Sequence, residues 1–242
     1  MAVTELWLVR HGESLANVAA SIAELGGHDV VESPARDADV ELSPTGVLQA
    51  EAFGTWLGAV SELPDVAFSS PYVRAEQTLI HAMARAGVTI PVGVDERLRD
   101  RELGILDLLT RFGVQKRFPE EAARKAWLGK FYYRPPGGES WADVALRVRS
   151  FLSDLDARGV EGRVLVTAHD AVVMLFLYVC LGMREQQLLD FAQTNTVLNA
   201  SVTKLSRTAT GWNLDVFASA DHLQALGIPV TEHSGDQNVQ PA

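Results

Sequence analysis

The chain of 242 residues is 47% hydrophobic, so it can bury a sizeable core as one large domain or two small ones. A formal net charge of −10 argues against binding to nucleic acid or to an anionic membrane surface. The single cysteine, Cys180, excludes an internal disulfide and a cysteine-based metal cluster. The sequence shows no signal-peptide pattern and no apolar run long enough to span a bilayer, so we expect a cytoplasmic location.

Strand-like and helix-like segments alternate along the chain, which predicts an α/β fold with a mainly parallel central sheet. Three apolar strands, at residues 6–9, 66–68 and 164–166, each run into polar residues at their carboxyl ends. The carboxyl ends of parallel strands meet at one edge of a sheet, which is where ligands bind in such folds. We therefore expect the polar residues after these strands to lie close together.

The first strand leads directly into Arg10, His11 and Gly12. Gly12 permits a sharp turn, and the residues from about Ser14 onward are compatible with a helix. Backbone N–H groups at the start of a helix favour anions, and the planar guanidinium of Arg10 suits phosphate oxygens. This local pattern predicts that His11 meets a phosphoryl group.

A second helix is predicted to begin after Ser43, which suits an N-cap, with Pro44 as the first helical residue and an end near Gly58. The connection before it, residues 18–41, contains glycines, a proline and several acids, so part of it is a loop. Two interpretations stay open for this connection. It either rims the site or is an insertion without a role there.

The other two strands also lead to groups suited to phosphate. Ser70 and Arg74 follow the second strand, and His169 follows the third. Packing alone does not explain why two arginines and two histidines should converge, because unpaired buried charges cost free energy. Together with Arg10 and His11, these residues predict an anion-binding site at the sheet edge.

The rest of the chain contains an insertion and a polar end. Residues 105–137 are predicted to form an insertion that is helical around residues 119–127. Its aromatic side chains would either line a substrate pocket or pack onto the main domain; they are Phe112, Phe118, Trp127, Phe131, Tyr132 and Tyr133. Residues 1–228 would then form a single domain, and the polar residues 229–242 a mobile tail.

Five segments, in this order along the chain, resemble the motifs of the histidine phosphatase superfamily, in its phosphoglycerate mutase-like branch 1. They are residues 8–17, Leu42-Ser43-Pro44-Thr45-Gly46, Ser69-Ser70-Pro71 with Arg74 and Thr78, Gly138-Glu139-Ser140, and His169. The resemblance covers roughly residues 3–223. It implies a three-layer α/β/α fold with helices on both faces of the sheet, and a cap over the pocket formed by residues 105–137.

These residues are suited to phosphoryl transfer, which needs a nucleophile, neutralisation of the phosphate oxygens and a proton for the leaving alcohol. A neutral imidazole can form a covalent intermediate, so His11 is the predicted nucleophile. Arg10 and Arg74 would grip the phosphate oxygens, with His169 and Asn17 as further donors. Because two arginines supply the positive charge, we expect neither a metal nor a cofactor.

Three residues are candidates for the proton donor. In the resembling family the donor lies in a leucine-x-acid segment before a glycine, and register against Gly104 selects Asp100. Glu102, two residues further on, would point the same way in an extended stretch. Asp170 follows His169 where this branch usually has glycine, and a His-Asp pair supplies the acid in the related acid phosphatase branch. Asp100 is preferred, and both alternatives stay open.

The leading hypothesis is a metal-independent phosphomonoester phosphatase that acts through a phosphohistidine on His11. A phosphoglycerate mutase-type phosphotransferase is the first alternative, although the segments after Gly104 and around Arg134 depart from the mutase pattern. A non-catalytic phospholigand-binding module is the second. The expected partner is a small phosphorylated substrate, with Arg134 at the edge of its pocket, and neither nucleic acid nor membrane; a homodimer stays open.

Overall fold

A six-stranded sheet crosses the part of the chain that the structure, a computed structural model, describes: residues 2–33 and 35–233. Its strands are β1 (Val3–Arg10), β2 (Val66–Ser69), β3 (Val92–Val94), β4 (Gly162–Ala168), β5 (Val202–Thr208) and β6 (Gly211–Ser219). They lie in the order β3-β2-β4-β1-β5-β6, with parallel pairing from β3 to β1 and antiparallel pairing on both sides of β5. The predicted mainly parallel sheet is confirmed.

Helices cover both faces of this sheet, as the three-layer prediction requires. Within the described ranges they are α1 (Leu15–Leu25), α2 (Pro44–Leu57), α3 (Val73–Ala86), α4 (Arg111–Arg117), α5 (Pro119–Tyr132), α6 (Trp141–Ala157), α7 (Asp170–Cys180), α8 (Glu185–Thr194) and α9 (Asp221–Ala225). Helices α2 and α3 pack on one face, and α6 and α7 pack on the other. None of the helices in these ranges is both long and apolar enough to cross a membrane.

Alternate residues of β1 face opposite layers of the fold. Leu6 and Leu8 lie in the core under α6 and α7, whereas Trp7 and Val9 pack against α2 and α3. Side chains along a strand alternate between the two faces of a sheet, and β1 is a central strand with helices on both sides. This is why the segment reads as a continuous apolar run rather than as alternating apolar and polar residues.

The three strands that carry the predicted site are neighbours in the sheet, and their carboxyl ends are in register. Arg10 of β1 pairs with Ala168 of β4, and Ser69 of β2 pairs with Thr167 of β4. The residues that follow on the three strands therefore lie side by side at one edge; they are His11, Ser70 and His169.

The long connection after α1 packs against the insertion. Val30 and Leu109 form an isolated antiparallel bridge. Thr110 donates from its backbone N to the carbonyl of Asp29 (3.2 Å) and from Oγ1 to the carbonyl of His28 (2.6 Å). These contacts hold the connection against residues 109 and 110 of the insertion. They thereby determine where the later residues of the connection reach the sheet edge.

Two aromatic residues of the insertion are used for packing. Phe131 is buried in the core beside α6 and α7, with its ring centroid 5.2 Å from that of Tyr178. Tyr133 is buried as well, and its hydroxyl donates to Glu121 (2.8 Å). Trp127, in contrast, is 85% exposed. Of the two alternatives for these aromatic residues, Phe131 and Tyr133 follow the second, because their rings pack within the domain itself.

The start of the predicted mobile tail is packed. Thr231, in the segment 229–233, accepts from Nε2 of Gln49 (2.9 Å), and its carbonyl accepts from the backbone N of Asn199 (3.2 Å). The packed part of the chain thus extends past the predicted domain boundary. Residues 234–242, which were also assigned to the tail, lie outside the described residues.

The loop after β1 and the first turn of α2 touch backbone to backbone. A Cβ on Gly12 would lie 2.6 Å from the carbonyl oxygen of Gly46, and a Cβ on Gly46 would lie 1.9 Å from that of Glu13. Ser43, the N-cap of α2, adds a hydrogen bond from its backbone N to the same Glu13 carbonyl (2.8 Å). Two glycines are therefore needed for α2 to hold the loop that carries His11.

We expect Gly46→Ala to lower the free energy of unfolding by at least about 3 kcal/mol, because neither of the two touching backbones can move aside cheaply. Turnover should fall as well, since the loop of residues 11–14 would shift. Leu48→Ala, on the exposed side of the same helix, is the matched control and should cost less than about 1 kcal/mol. Denaturant unfolding of both variants measures the difference, and equal stabilities would contradict the close approach.

Candidate active site

His11 lies at the carboxyl end of β1 and is only 3% exposed. Its backbone N donates to the carbonyl of Ala168 (2.9 Å), and its carbonyl accepts from the backbone N of Ala200 and from Nδ2 of Asn199 (both 3.1 Å). Nδ1 lies 2.6 Å from the carbonyl oxygen of Gly12. Because a carbonyl only accepts, the ring proton belongs on Nδ1, and the lone pair is on Nε2.

Arg74, in the first turn of α3, directs its guanidinium at that lone pair. Nε donates to Nε2 of His11 (3.3 Å). Nη1 donates to the carbonyl of Asp37 (2.6 Å) and lies 3.0 Å from its Oδ1, while Nη2 donates to Oδ2 of Asp37 (3.4 Å) and to Oδ2 of Asp100 (3.0 Å). The five N–H groups of the side chain thus face Nε2 of His11 and two acidic residues.

Arg10 lies on the other side of His11 and is buried. Nη1 donates to the carbonyl of Val197 (2.6 Å), and Nη2 donates to the carbonyl of His233 (2.7 Å). Its Nε is buried without a hydrogen-bond partner among the described residues. A buried cationic donor in this state is costly, and an anion beside His11 would satisfy it.

His169 completes the cluster from the end of β4. Its ring centroid lies 5.1 Å from that of His11. Nε2 of His169 lies 2.9 Å from Oγ of Ser70. Nδ1 of His169 lies 3.2 Å from Oδ2 of Asp100, but the geometry of this contact is not that of a hydrogen bond. The structure therefore brings the predicted arginine and histidine pairs together with Asp100.

The three candidate proton donors occupy different places. Asp100 contacts Arg74 in the cluster, and its side chain is 24% exposed. Asp170 stands at the start of α7, where Oδ1 accepts from the backbone N of Ala171 (2.7 Å). Glu102 is half exposed and accepts from the hydroxyl of Tyr72 (2.9 Å). Of the three, Asp100 is the one in contact with the clustered residues.

The two predicted substrate-binding residues differ in position. Oδ1 of Asn17 accepts from the backbone N of Ser14 (3.1 Å) in the N-terminal cap of α1, and Nδ2 of Asn199 lies 3.4 Å from the same oxygen. Asn17 thus belongs to the loop around His11. Arg134 lies apart: its side chain is 62% exposed and pairs with Asp143.

Burial favours the neutral form of both histidines, most strongly for His11. Burial, reinforced by Arg74, His169 and Arg10, lowers the pKa of His11 well below its usual range. Burial also lowers the pKa of His169, although the nearby Asp100 carboxylate opposes this. A neutral imidazole with its lone pair on Nε2 is the nucleophilic form of histidine.

Asp100 is ionised in the free protein. Burial alone would raise the pKa of its carboxyl, but His169 and the Arg74 guanidinium outweigh that effect and hold the pKa well below its usual range. Asp37 on the same guanidinium behaves differently, because burial raises its pKa more than Arg74 lowers it. Two carboxyl groups that share one arginine therefore differ in acidity.

A metal ion is a second ligand to consider. His11, Asp100 and His169 offer one ligand atom each, and these atoms lie within 4.8 Å of one another. Arg74, however, contacts two of the three, at 3.3 Å from His11 Nε2 and 3.0 Å from Asp100 Oδ2. A divalent cation would have to displace a guanidinium and lie among cationic groups, so the set is better suited to an anion.

Three residues of the site were not predicted from the sequence. Asp37 lies in a short 3₁₀ turn of the long connection, and Asn199 lies in the segment before β5. His233 accepts from Arg10 through its carbonyl, and its Nε2 lies 3.2 Å from a carboxylate oxygen of Glu13. The connection's acidic composition was the only signal for Asp37, and Asn199 and His233 carried none.

Known proteins resemble this chain in sequence and in fold. The profile described as "Histidine phosphatase superfamily (branch 1)" matches residues 6–219. A 2,3-bisphosphoglycerate-dependent phosphoglycerate mutase of Methylobacterium radiotolerans is 32% identical over 218 residues, which cover 87% of this chain and 97% of the relative.

Solved structures give a similar result. A mycobacterial glucosyl-3-phosphoglycerate phosphatase, solved in complex with VO3, is 29% identical with a TM-score of 0.71, over 90% of this chain and 100% of that one. An α-ribazole phosphatase from Shigella flexneri shares the fold, with a TM-score of 0.71 and 23% identity over 89% of this chain and 96% of that one.

We expect the ring of His11 to stay neutral at about pH 6, where an exposed histidine is mostly protonated. Inorganic phosphate should raise the pKa values of His11 and His169, because a neighbouring anion favours the charged imidazole. Two-dimensional ¹H–¹⁵N spectra of the ring nitrogens across pH, assigned with His11→Gln and His169→Asn, measure both effects. A His11 ring that titrates near pH 6.5 with and without phosphate would contradict this electrostatic account.

Proposed function

The chain belongs to branch 1 of the histidine phosphatase superfamily, and we propose that it is a metal-independent phosphomonoester phosphatase acting through a phosphohistidine on His11. The observation that carries this proposal is a buried His11 of lowered pKa whose Nε2 lone pair faces a cationic donor, Arg74. Arg74 lies 3.3 Å from that nitrogen, and the buried Nε of Arg10 is without a partner among the described residues. Fixed positive charge around the nucleophile stabilises the phosphate oxygens during transfer.

In the first step, the lone pair on Nε2 of His11 attacks phosphorus and the P–O bond to the alcohol breaks. The proton on Nδ1 stays on the ring, held by the Gly12 carbonyl, so the phosphorylated imidazole is cationic. Arg10, Arg74 and His169 hold the remaining phosphate oxygens. The bonding electron pair leaves with the alcohol oxygen, which takes a proton from Asp100.

Asp100 must gain that proton when the substrate binds, since it is ionised in the free protein. A phosphate group brings negative charge to Arg74 and His169, the two groups that stabilise the Asp100 carboxylate. Competition for these groups raises the pKa of Asp100 and favours its protonated form. The contacts that keep Asp100 ionised in the free protein thus weaken when the substrate arrives.

In the second step, a water molecule attacks the phosphohistidine and the P–N bond breaks. The Asp100 carboxylate left by the first step accepts the proton of this water. Inorganic phosphate leaves, His11 returns to its neutral state, and Asp100 is protonated again for the next cycle or loses its proton to solvent. The same group therefore acts first as an acid and then as a base.

Hydrolysis is favoured over mutase activity because three candidate basic side chains, including the exposed Arg134, are already paired. A phosphoglycerate mutase must hold the carboxylate of its substrate in addition to the transferred phosphoryl group. Arg99 and Arg147 are both bound to Glu139 (2.7 and 3.0 Å), and Arg134 is bound to Asp143. These three arginines already have carboxylate partners and so do not offer a second anion site for the substrate carboxylate. A hydrolase needs only the phosphate site and is therefore the simpler function.

Phosphoglycerate mutase is the second candidate, because the Methylobacterium radiotolerans relative carries that name. The two functions share the first step and differ in the acceptor, which is water in one and a second hydroxyl group in the other. Incubation with 3-phosphoglycerate and a trace of 2,3-bisphosphoglycerate separates them. Release of inorganic phosphate supports the phosphatase, and interconversion of the phosphoglycerates without release supports the mutase.

We expect His11→Ala to abolish turnover of an aryl phosphate, because the imidazole nitrogen that lies against Arg74 is then lost. Rapid acid-free quenching of the unsubstituted enzyme should trap a phosphoryl group on His11, detectable by peptide mass spectrometry. His81→Ala, on the same helix as Arg74, is the matched control and should turn over normally. A chelator should leave the rate unchanged, and a loss that a divalent ion restores would contradict the metal-independent mechanism.

We expect Asp100→Asn to slow hydrolysis of an alkyl phosphate by about 10²–10⁴-fold, which is typical for loss of a general acid. The loss should be much smaller for 4-nitrophenyl phosphate, whose leaving group departs as an anion. Glu102→Gln and Asp170→Asn are the comparison variants, and neither should discriminate between the two esters. If Asp100→Asn slows hydrolysis of both esters equally, Asp100 is not the general acid.

A further inference from the structure

We propose that Asp37 selects the alcohol part of the substrate, excluding phosphate esters of hydroxy acids in favour of esters whose alcohol is uncharged and rich in hydroxyl groups. This inference rests on the proposed phosphatase function. Asp37 lies in the 3₁₀ turn Asp37–Asp39 of the long connection, and it contacts Arg74 through both its carbonyl (2.6 Å) and its carboxylate (3.0 Å). The side chain is 37% exposed, so it is accessible at the mouth of the site.

Asp37 lies on the side of the site from which the alcohol leaves. Nη2 of Arg74 contacts Oδ2 of Asp37 at 3.4 Å and Oδ2 of Asp100 at 3.0 Å, so the two carboxylates share one nitrogen. A residue that protonates the leaving oxygen must lie next to it, and Asp100 is the proposed donor. Asp37 is therefore a neighbour of the first atoms of the alcohol beyond that oxygen.

A phosphate that binds Arg74 takes over N–H groups that Asp37 holds in the free protein. The carbonyl and carboxylate of Asp37 together face three of the five N–H groups of that side chain. Asp37 is thus displaced from the guanidinium and left beside the incoming ester, with its charge no longer paired. In that position, it repels a second anionic group on the substrate and accepts hydrogen bonds from hydroxyl groups.

The surroundings of Asp37 do not cancel this selectivity. Asp100 is a second carboxylate at the same nitrogen, and Glu102, on the hydroxyl of Tyr72, adds another acid near the site. Arg36 is the basic neighbour in the chain, and both of its contacts (2.9 Å) go to the carboxylate of Asp39. The leaving-group side is therefore acidic, in contrast to the cationic phosphate side.

The test compares two ligands that differ at one carbon: D-glycerol 3-phosphate, which ends in a hydroxymethyl group, and 3-phospho-D-glycerate, which ends in a carboxylate. Each is measured as a competitor of 4-nitrophenyl phosphate, so that an inhibition constant is obtained whether or not the ligand is hydrolysed. The assay uses a slightly alkaline pH, at which Asp37 and both phosphates are ionised. The proteins are the unsubstituted chain, Asp37→Asn, and Glu41→Gln as control.

Asp37→Asn removes one negative charge while keeping the size of the side chain. We expect it to improve binding of the phosphoglycerate relative to the glycerol phosphate by about tenfold, because two like charges a few ångströms apart near a protein surface repel strongly. Glu41→Gln removes the same charge from an exposed residue of the same connection and should leave the ratio unchanged. Thermal unfolding checks that the variants are folded.

Two outcomes would overturn this inference. If Asp37→Asn strengthens binding of both ligands equally, Asp37 only competes with the phosphate for Arg74 and does not select the alcohol. If Glu41→Gln changes the ratio as much as Asp37→Asn, the effect comes from the overall charge. Failure of the phosphatase function itself would look different, since 4-nitrophenyl phosphate would then not be hydrolysed in a His11-dependent way.

Discussion

One buried guanidinium, that of Arg74, joins the parts of the site. It contacts His11 at a strand end, Asp100 in an irregular segment and Asp37 in the long connection. A buried charge is tolerated only when its partners are arranged around it, so these three segments must meet where the arginine meets them. Burial and this charge together lower the pKa of His11, and His169 and this charge together lower that of Asp100, so the arginine connects the packing of the domain to the chemistry at its edge.

The segment that carries Asp100 has little regular structure and is held from behind. Arg147 of α6 donates to the carbonyl of Asp100 (3.1 Å) and pairs with the carboxylate of Glu139 through two nitrogens (3.0 and 3.1 Å). Glu139 in turn accepts from Arg99 (2.7 Å) and from the backbone N of Glu102 (3.2 Å). The short motif around Glu139 therefore has a structural role, because it places the proposed acid against the arginine and the second histidine.

The residues whose location could be predicted from the sequence are those whose place follows from strand order. Arg10 and His169 end neighbouring parallel strands, and a strand end is recognisable from an apolar run that stops at polar residues. Asp37 and His233 could not be found this way, since tertiary packing of a turn and of the segment 229–233 brings them to the sheet edge. Phe131 was ambiguous because an aromatic residue in a helix looks the same whether it faces a pocket or the core.

The site joins parts of the chain that are far apart in sequence. The hydrogen bonds of Arg10 reach Val197, 187 positions away, and His233, 223 positions away, and that of His11 reaches Asn199, 188 positions away. Such non-local contacts form slowly, because the entropy of closing the long intervening loops opposes them. Activity therefore requires complete folding. A collapsed chain that has formed its helices but has not docked the segment 229–233 lacks a finished anion site.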